Sequence, residues 1–207
     1  MIMKNNLLFV RHFCLSLLLI CSLMACQKDH QQQQYILDQN ASAMEWKGYL
    51  KDGSGNNGTI NVAGKLFVTE PWQITGGQVS LPLASLVNIN LPTDELKHQL
   101  IHHLQSEDFF NMVAYPEISF KITSMIPDKD TSHIYHASGD LTILGKTRSV
   151  NFPVQIKLQG NQLEVTGETS IDRTLWGMDY ASDENAADGM YIKPGIDVQF
   201  KLVAMKR

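Results

Sequence analysis

The sequence predicts an all-β fold with one short helix, built as a closed antiparallel barrel of about eight strands. Three observations predict it. Apolar residues recur at every second position over much of the chain, as in Val150, Phe152, Val154, Ile156 and Leu158, which sets them on one face of a strand. Turn signals such as Gly76-Gly77, Gly145-Lys146 and Gly160-Asn161 separate these runs. A sheet of that many strands leaves two exposed edges unless it closes on itself, and a barrel removes both.

In chain order, the first feature is not a strand. Lys4 and Arg11 precede the apolar run "FCLSLLLICSLMA", which has the make-up of an export signal and is too short for a membrane span. Its last residues, Leu23-Met24-Ala25-Cys26, resemble the lipobox of bacterial lipoproteins. Residues 1–25 are therefore expected to be a cleaved lipoprotein signal peptide, with Cys26 lipidated and holding the protein to a membrane. Cys14 and Cys21 leave with the signal, so of the three cysteines only Cys26 stays, and no intramolecular disulfide can form.

Residues 26–34 contain "QKDHQQQQ", which has nothing to bury and reads as a polar tether. Gln27-Lys28-Asp29 resembles the surface-export signal of some Bacteroidetes lipoproteins. The barrel domain is assigned to residues 35–207. The chain has 17 Lys and Arg against 21 Asp and Glu, a net charge of −4, and losing Lys4 and Arg11 makes it more acidic. With no basic patch, nucleic acid is excluded as a partner. Membrane attachment then comes from the lipid on Cys26 and not from a polybasic face.

Within the domain, strands are expected at 43–51, 58–69, 73–84, 118–122, 133–144, 150–158, 162–172 and 196–202. One segment breaks the period of two. "LPTDELKHQLIHHL" spaces Leu96, Leu100 and Leu104 four apart, with Thr93 or Asp94 placed to cap the N-terminus. This amphipathic helix is expected to lie across one end of the barrel.

Several motifs invite chemistry and lose it on context. Gly53, Gly55 and Gly58 spell G-x-G-x-x-G, but a dinucleotide fingerprint needs a helix after it. "TINVAGKLFV" follows instead and has strand character, so the glycines read as a hairpin connection, where alanine at Gly53 or Gly55 is expected to cost little. Glu95, His98 and His102 share a helix face, but it lies opposite the leucines and reads as solvated, so no metal is expected. His133 and His136 lie on another segment. No nucleophile elbow, reactive Cys with His or paired carboxylates stand out, and no enzymatic activity is expected. Asp108 and Asp172 read as turn-capping carboxylates.

What remains is the apolar inner face. Trp46, Phe67, Phe120, Val150, Phe152, Val154, Ile156, Phe200 and Leu202, with Trp176 nearby, fill the inward positions. A barrel of about eight strands either packs its interior with side chains or keeps a cavity for one small ligand, and composition does not choose between them.

Three ordered motifs carry a resemblance. "HLQSEDFFNMVAYPEISFKITS", "GDLTILGKTRSVNFPVQI" and "IDRTLWGMDY" are similar to signatures of the YceI family, with Leu104, Ser106, Asp108, Phe109, Phe110, Tyr115, Pro116, Leu141, Arg173 and Gly177 at matching positions. The resemblance implies a lipocalin-like barrel whose apolar pore binds a polyisoprenoid or isoprenoid-quinone-like lipid, for carriage or storage, with no cofactor besides that lipid. With the inward apolar faces, the pore is expected among Trp46, Phe67, Phe109, Phe110, Phe120, Leu141, Val150, Phe152, Val154, Ile156, Trp176 and Phe200, with Phe109 and Phe110 at the helix end and Asp108 and Arg173 chiefly structural. The expected location is the envelope of a Gram-negative-type bacterium, lipid-anchored at the outer membrane on its periplasmic or surface face, and a homodimer is left open. The competing expectation is a barrel with a filled core, displayed on a membrane as a protein interaction module through the loops at Gly53 to Gly58 and Asp179 to Gly189.

Overall fold

A computed structural model describes residues 31–69, 72–186 and 189–207. The signal segment, Cys26 and most of the tether lie outside the described residues. Gln32–Arg207 forms one unit that contains all the described strands and both hydrophobic clusters.

The strands are β1 (Gln33–Leu37), β2 (Ala43–Leu50), β3 (Gly55–Ile60), β4 (Ala63–Thr69), β5 (Gln73–Pro82), β6 (Val87–Asn88), β7 (Glu117–Pro127), β8 (Ile134–Ile143), β9 (Lys146–Gln159), β10 (Gln162–Asp172) and β11 (Ile192–Lys206). Helix α1 spans Asp94–Gln105, and short 3₁₀ turns occupy Leu83–Ser85 and Arg173–Trp176. All pairings are antiparallel. β1, β4, β5, β7, β8, β9, β10 and β11 close an eight-stranded ring, because β1 pairs with both β4 and β11.

Closure depends on one edge of β11 serving two partners. Its C-terminal residues Ala204 to Lys206 pair with β1, and Ile192 to Lys201 pair with β2. The chain turns between those partners at Asp38, whose side chain accepts from the Asn40 and Ala41 amides while its own N–H donates to the Val203 carbonyl. From β2 the sheet branches to β3 and then to β6, which has no second neighbour among the described strands. The free side of β6 is therefore covered rather than hydrogen-bonded to a further strand. α1 lies against β6, the Gln105 side chain donates to the Leu83 carbonyl, and the Leu83 amide donates to the Pro116 carbonyl.

The two ends of the barrel differ. At the packed pole, the hairpins β4–β5, β7–β8 and β9–β10 surround a core of buried Tyr35, Leu66, Val68, Ile74, Leu163 and Ala204. β1 begins there, with Gln33 opposite Val68 and the Gln34 carbonyl accepting from the Arg207 amide. At the helix pole, the β2–β3 and β8–β9 hairpins meet α1 and the turn at Arg173–Trp176. Trp176 is buried there, and its indole N–H donates to the Leu141 carbonyl at 3.2 Å.

α1 forms where the leucine spacing predicts, and Thr93 is the cap, its Oγ1 accepting from the Leu96 amide. Glu95, His98 and His102 are exposed. No α1 residue is fully buried, and among the described residues no helix is long and apolar enough to cross a membrane.

Three expectations are corrected. The strand expected at 58–69 is two strands, broken at Asn61 and Val62. β1 starts at Gln33, inside the stretch assigned to the tether, because Gln33 and Gln34 find ladder partners on β4. The glycines of "KDGSGNNGTI" also do more than turn the chain. Gly53 alone sits in the turn, with φ +87° and open space around it. Gly55 and Gly58 lie within β3, where an added Cβ would sit 2.0 Å from the Gly48 carbonyl and 1.7 Å from the Val87 carbonyl respectively. Backbone cannot yield as a side-chain tip can. Gly58→Ala is therefore expected to destabilise the barrel by about 2–3 kcal/mol, a larger loss than Gly53→Ala, because β6 and the Trp46 ring occupy its side-chain position. Urea unfolding of the two variants beside the parent checks the order.

Candidate functional site

The inward side chains do not fill the barrel. Between the packed core and α1 lies a cavity of about 260 Å³. Its wall is built by strand alternation: Met44, Trp46 and Gly48 from β2, Phe120 from β7, Leu141 from β8, Val150, Phe152 and Val154 from β9, Val198 and Phe200 from β11. Phe120, Phe152 and Phe200 follow one another along this wall, with ring centroids 5.6 and 5.8 Å apart. Two of the rings exist in these positions because the neighbouring strands carry glycine. A Cβ at Gly139 would lie 2.4 Å from the Phe120 ring, and one at Gly167 would lie 2.7 Å from the Phe200 ring.

At the helix pole, Leu100, His103 and Leu104 of α1 and Phe109 and Phe110 just after it complete the lining. The helix ends at Ser106, and the chain folds back so that the Phe110 amide donates to the Leu104 carbonyl. That reversal turns both phenylalanines inward. His103 Nε2 and Asp108 Oδ2 are 2.9 Å apart, and the His103 ring meets Phe109 and Tyr180 edge-on at 5.1 and 4.9 Å.

Arg173 is the one charged residue fully buried among those described, and it also borders the cavity. Its Nη1 donates to the Met178 carbonyl, and its Nη2 donates to the Tyr180 and Ile192 carbonyls at 2.9 Å each. The guanidinium lies 5.7 Å from the centre of the Phe109 ring. Burial holds it below its ordinary arginine range, with Asp179 and Asp172 pulling the other way. Asp108 pairs with His103, and Asp172 caps the following turn by accepting from the Thr174 amide. The Nε of Arg173 and the indole N–H of Trp46 are buried without a hydrogen-bond partner.

Of the twelve residues expected to form the pore, nine line the cavity: Trp46, Phe109, Phe110, Phe120, Leu141, Val150, Phe152, Val154 and Phe200. Three do not. Phe67 points outward under Lys65, whose ammonium lies 5.5 Å from its ring, because Leu66 and Val68 take the inner face of β4. Ile156 points inward but packs against the closed core below the cavity. Trp176 seals the outside of the helix pole, packed with Leu83, Ile143 and Met178. The lining residues absent from that expectation include Met44, Leu100 and Leu104 and, most consequentially, Gly48 and His103. The period of two through Met44, Trp46 and Gly48 was the available signal for Gly48, and nothing short of the chain reversal at Ser106 marks His103.

A YceI-like domain model matches residues 35–204. The chain belongs to the YceI-like family. Protein YceI of Escherichia coli and of Shigella flexneri are each 35% identical over 83 residues, a stretch that is 39% of this chain and 42% of the relative. The matched region thus spans less than half the length of these YceI relatives. Among solved structures, BcnA of Burkholderia cenocepacia superposes with a TM-score of 0.65 at 19% identity, covering 82% of this chain and 99% of BcnA. A polyisoprenoid binding domain from Saccharophagus degradans, implicated in plant cell wall breakdown, superposes with a TM-score of 0.62 at 14% identity, covering 84% and 98%. At such identities the agreement concerns the YceI-like barrel fold.

Proposed function

We propose that this YceI-like barrel binds a polyisoprenoid or isoprenoid-quinone-like lipid, for carriage or storage and without chemical conversion. The observation that carries the reading is the apolar cavity, since a void lined by leucine, valine and phenylalanine gains nothing from water and much from a hydrocarbon chain. The unpartnered Trp46 N–H supports the same reading over a filled interaction module, because a buried donor left unpaired costs about 1–3 kcal/mol. Among the polar groups at the helix end of the cavity, His103 is paired with Asp108 and the Arg173 Nη atoms with three carbonyls, which favours a binding role over a catalytic one. From the sequence, the protein would be exported, acylated at Cys26 and held at the outer membrane of a Gram-negative-type envelope.

Cavity size sets the expected length dependence. A cavity of about 150 Å³ takes up benzene, so one of about 260 Å³ accommodates about ten carbons, or two isoprene units. Each buried CH₂ contributes about 0.8 kcal/mol before ordering costs. In a titration of C5, C10, C15 and C20 isoprenols, affinity is expected to rise at least about tenfold from C5 to C10 and to flatten beyond. Binding indifferent to chain length would overturn the proposal. Mass analysis of lipids extracted from the native protein then identifies the ligand, and an empty protein would favour the interaction module.

A further inference from the structure

The exposed apolar residues are not spread evenly. Val113 is 95% exposed, and Val87, Ile89, Leu175 and Met190 are between 48 and 52% exposed, with Leu96 close behind. All six belong to the helix pole. Val87 lies in β6, the Ile89 amide donates to the Asn57 carbonyl beside it, and Leu96 lies on α1. Val113 lies between Met112 and Pro116, which are tied to Gln105 and Leu83. The Leu175 carbonyl accepts from Arg148, and Met190 lies against Tyr180, itself packed on His103. At the packed pole only Trp72, Ile126 and Met205 are comparably exposed among the described residues.

We infer that this rim is a membrane-docking surface that seats the helix-pole end of the cavity on a lipid bilayer of low charge. The inference rests on the isoprenoid reading, since a polyisoprenoid resides in bilayers and can reach the cavity without crossing water only if that end meets the bilayer directly. Charge favours apolar insertion over attraction to anionic headgroups, since the elements of the helix pole carry both signs, Lys97, Lys146 and Arg148 with Asp94, Glu95, Glu107 and Asp108. β1 begins at the packed pole, away from this rim.

The test uses Gln32–Arg207, which carries every ladder and both cores and lacks Cys26, so that no acyl chain contributes. Phosphatidylcholine vesicles are floated with the parent, with an Ile89→Asp/Val113→Asp double variant, and with an Ile126→Asp/Met205→Asp double variant at the other pole. Geraniol binding is titrated separately in solution for each. The rim variant is expected to lose at least about tenfold in vesicle partition, the packed-pole variant to match the parent, and geraniol affinity to stay within about twofold throughout. Adding phosphatidylglycerol is expected to change partition little. Equal flotation of rim variant and parent, no flotation of the parent, or binding that requires phosphatidylglycerol would each overturn the inference. Self-association that the rim substitutions abolish, without vesicle binding, would overturn it in favour of a second copy of this chain. If geraniol fails to bind while rim-dependent flotation persists, the isoprenoid reading falls and membrane docking stands.

Discussion

In a Gly48→Trp variant, affinity for a C10 isoprenol is expected to fall by about 100-fold or more while the barrel keeps its stability. Gly48 shares the inward register of Met44 and Trp46, lines the cavity, and a Cβ built on it meets nothing within 4 Å. Its φ is not in the left-handed region, so a side chain there adds no backbone strain. The ten heavy atoms of a tryptophan side chain match the capacity estimated for the cavity, and excluding four or five methylenes removes about 3–4 kcal/mol of burial. Aromatic residues also suit a strand better than glycine does. Gly48→Ala adds only a methyl group and is expected to bind within a few-fold of the parent. Titration calorimetry and thermal unfolding of both variants separate a plugged cavity from a damaged fold. A tryptophan variant that still binds normally would place the ligand elsewhere.

The second large effect is structural. Arg173→Met is expected to cost about 3–5 kcal/mol, because it leaves the Met178, Tyr180 and Ile192 carbonyls without their guanidinium donors. For a chain of this size that corresponds to a fall in Tm of about 10 °C. These carbonyls belong to two separate stretches, the loop after the Arg173–Trp176 turn and the start of β11, so Arg173 ties the helix pole together. Arg173→Lys is expected to rescue little, since a single ammonium cannot reproduce a planar fork that spans three acceptors. A lysine variant as stable as the parent would show that charge, and not geometry, is what the site requires.

The barrel was legible because water on one side and hydrocarbon on the other forces an alternation that survives translation into letters. β9 is the clearest case, with Val150, Phe152 and Val154 reading inward in both sequence and structure. α1 was legible for the same reason at a different period, its cap included. What failed was local ambiguity. Leu66, Phe67 and Val68 are three apolar residues in a row, so parity cannot say which faces in, and the β4–β5 register decides it against Phe67. β1 is too short and begins too polar to announce itself, and the two residues of β6 carry no period. The difference between a filled and a hollow barrel was illegible in principle, since it depends on how Phe120 and Phe200 settle over Gly139 and Gly167 across strands.

The position of β1 sets a direction for traffic. Were Cys26 acylated as proposed, residues 27–32 could span at most about 21 Å when fully extended. β9 alone, with its 14 residues, measures about 35 Å along a barrel axis once a typical strand tilt is allowed for. Under that proposal the leash would start from the packed pole and be shorter than the body it holds. Such a molecule would not lay its helix pole on the leaflet that anchors it. Upright, it would offer any bound lipid outward, to whatever surface approaches from the other side.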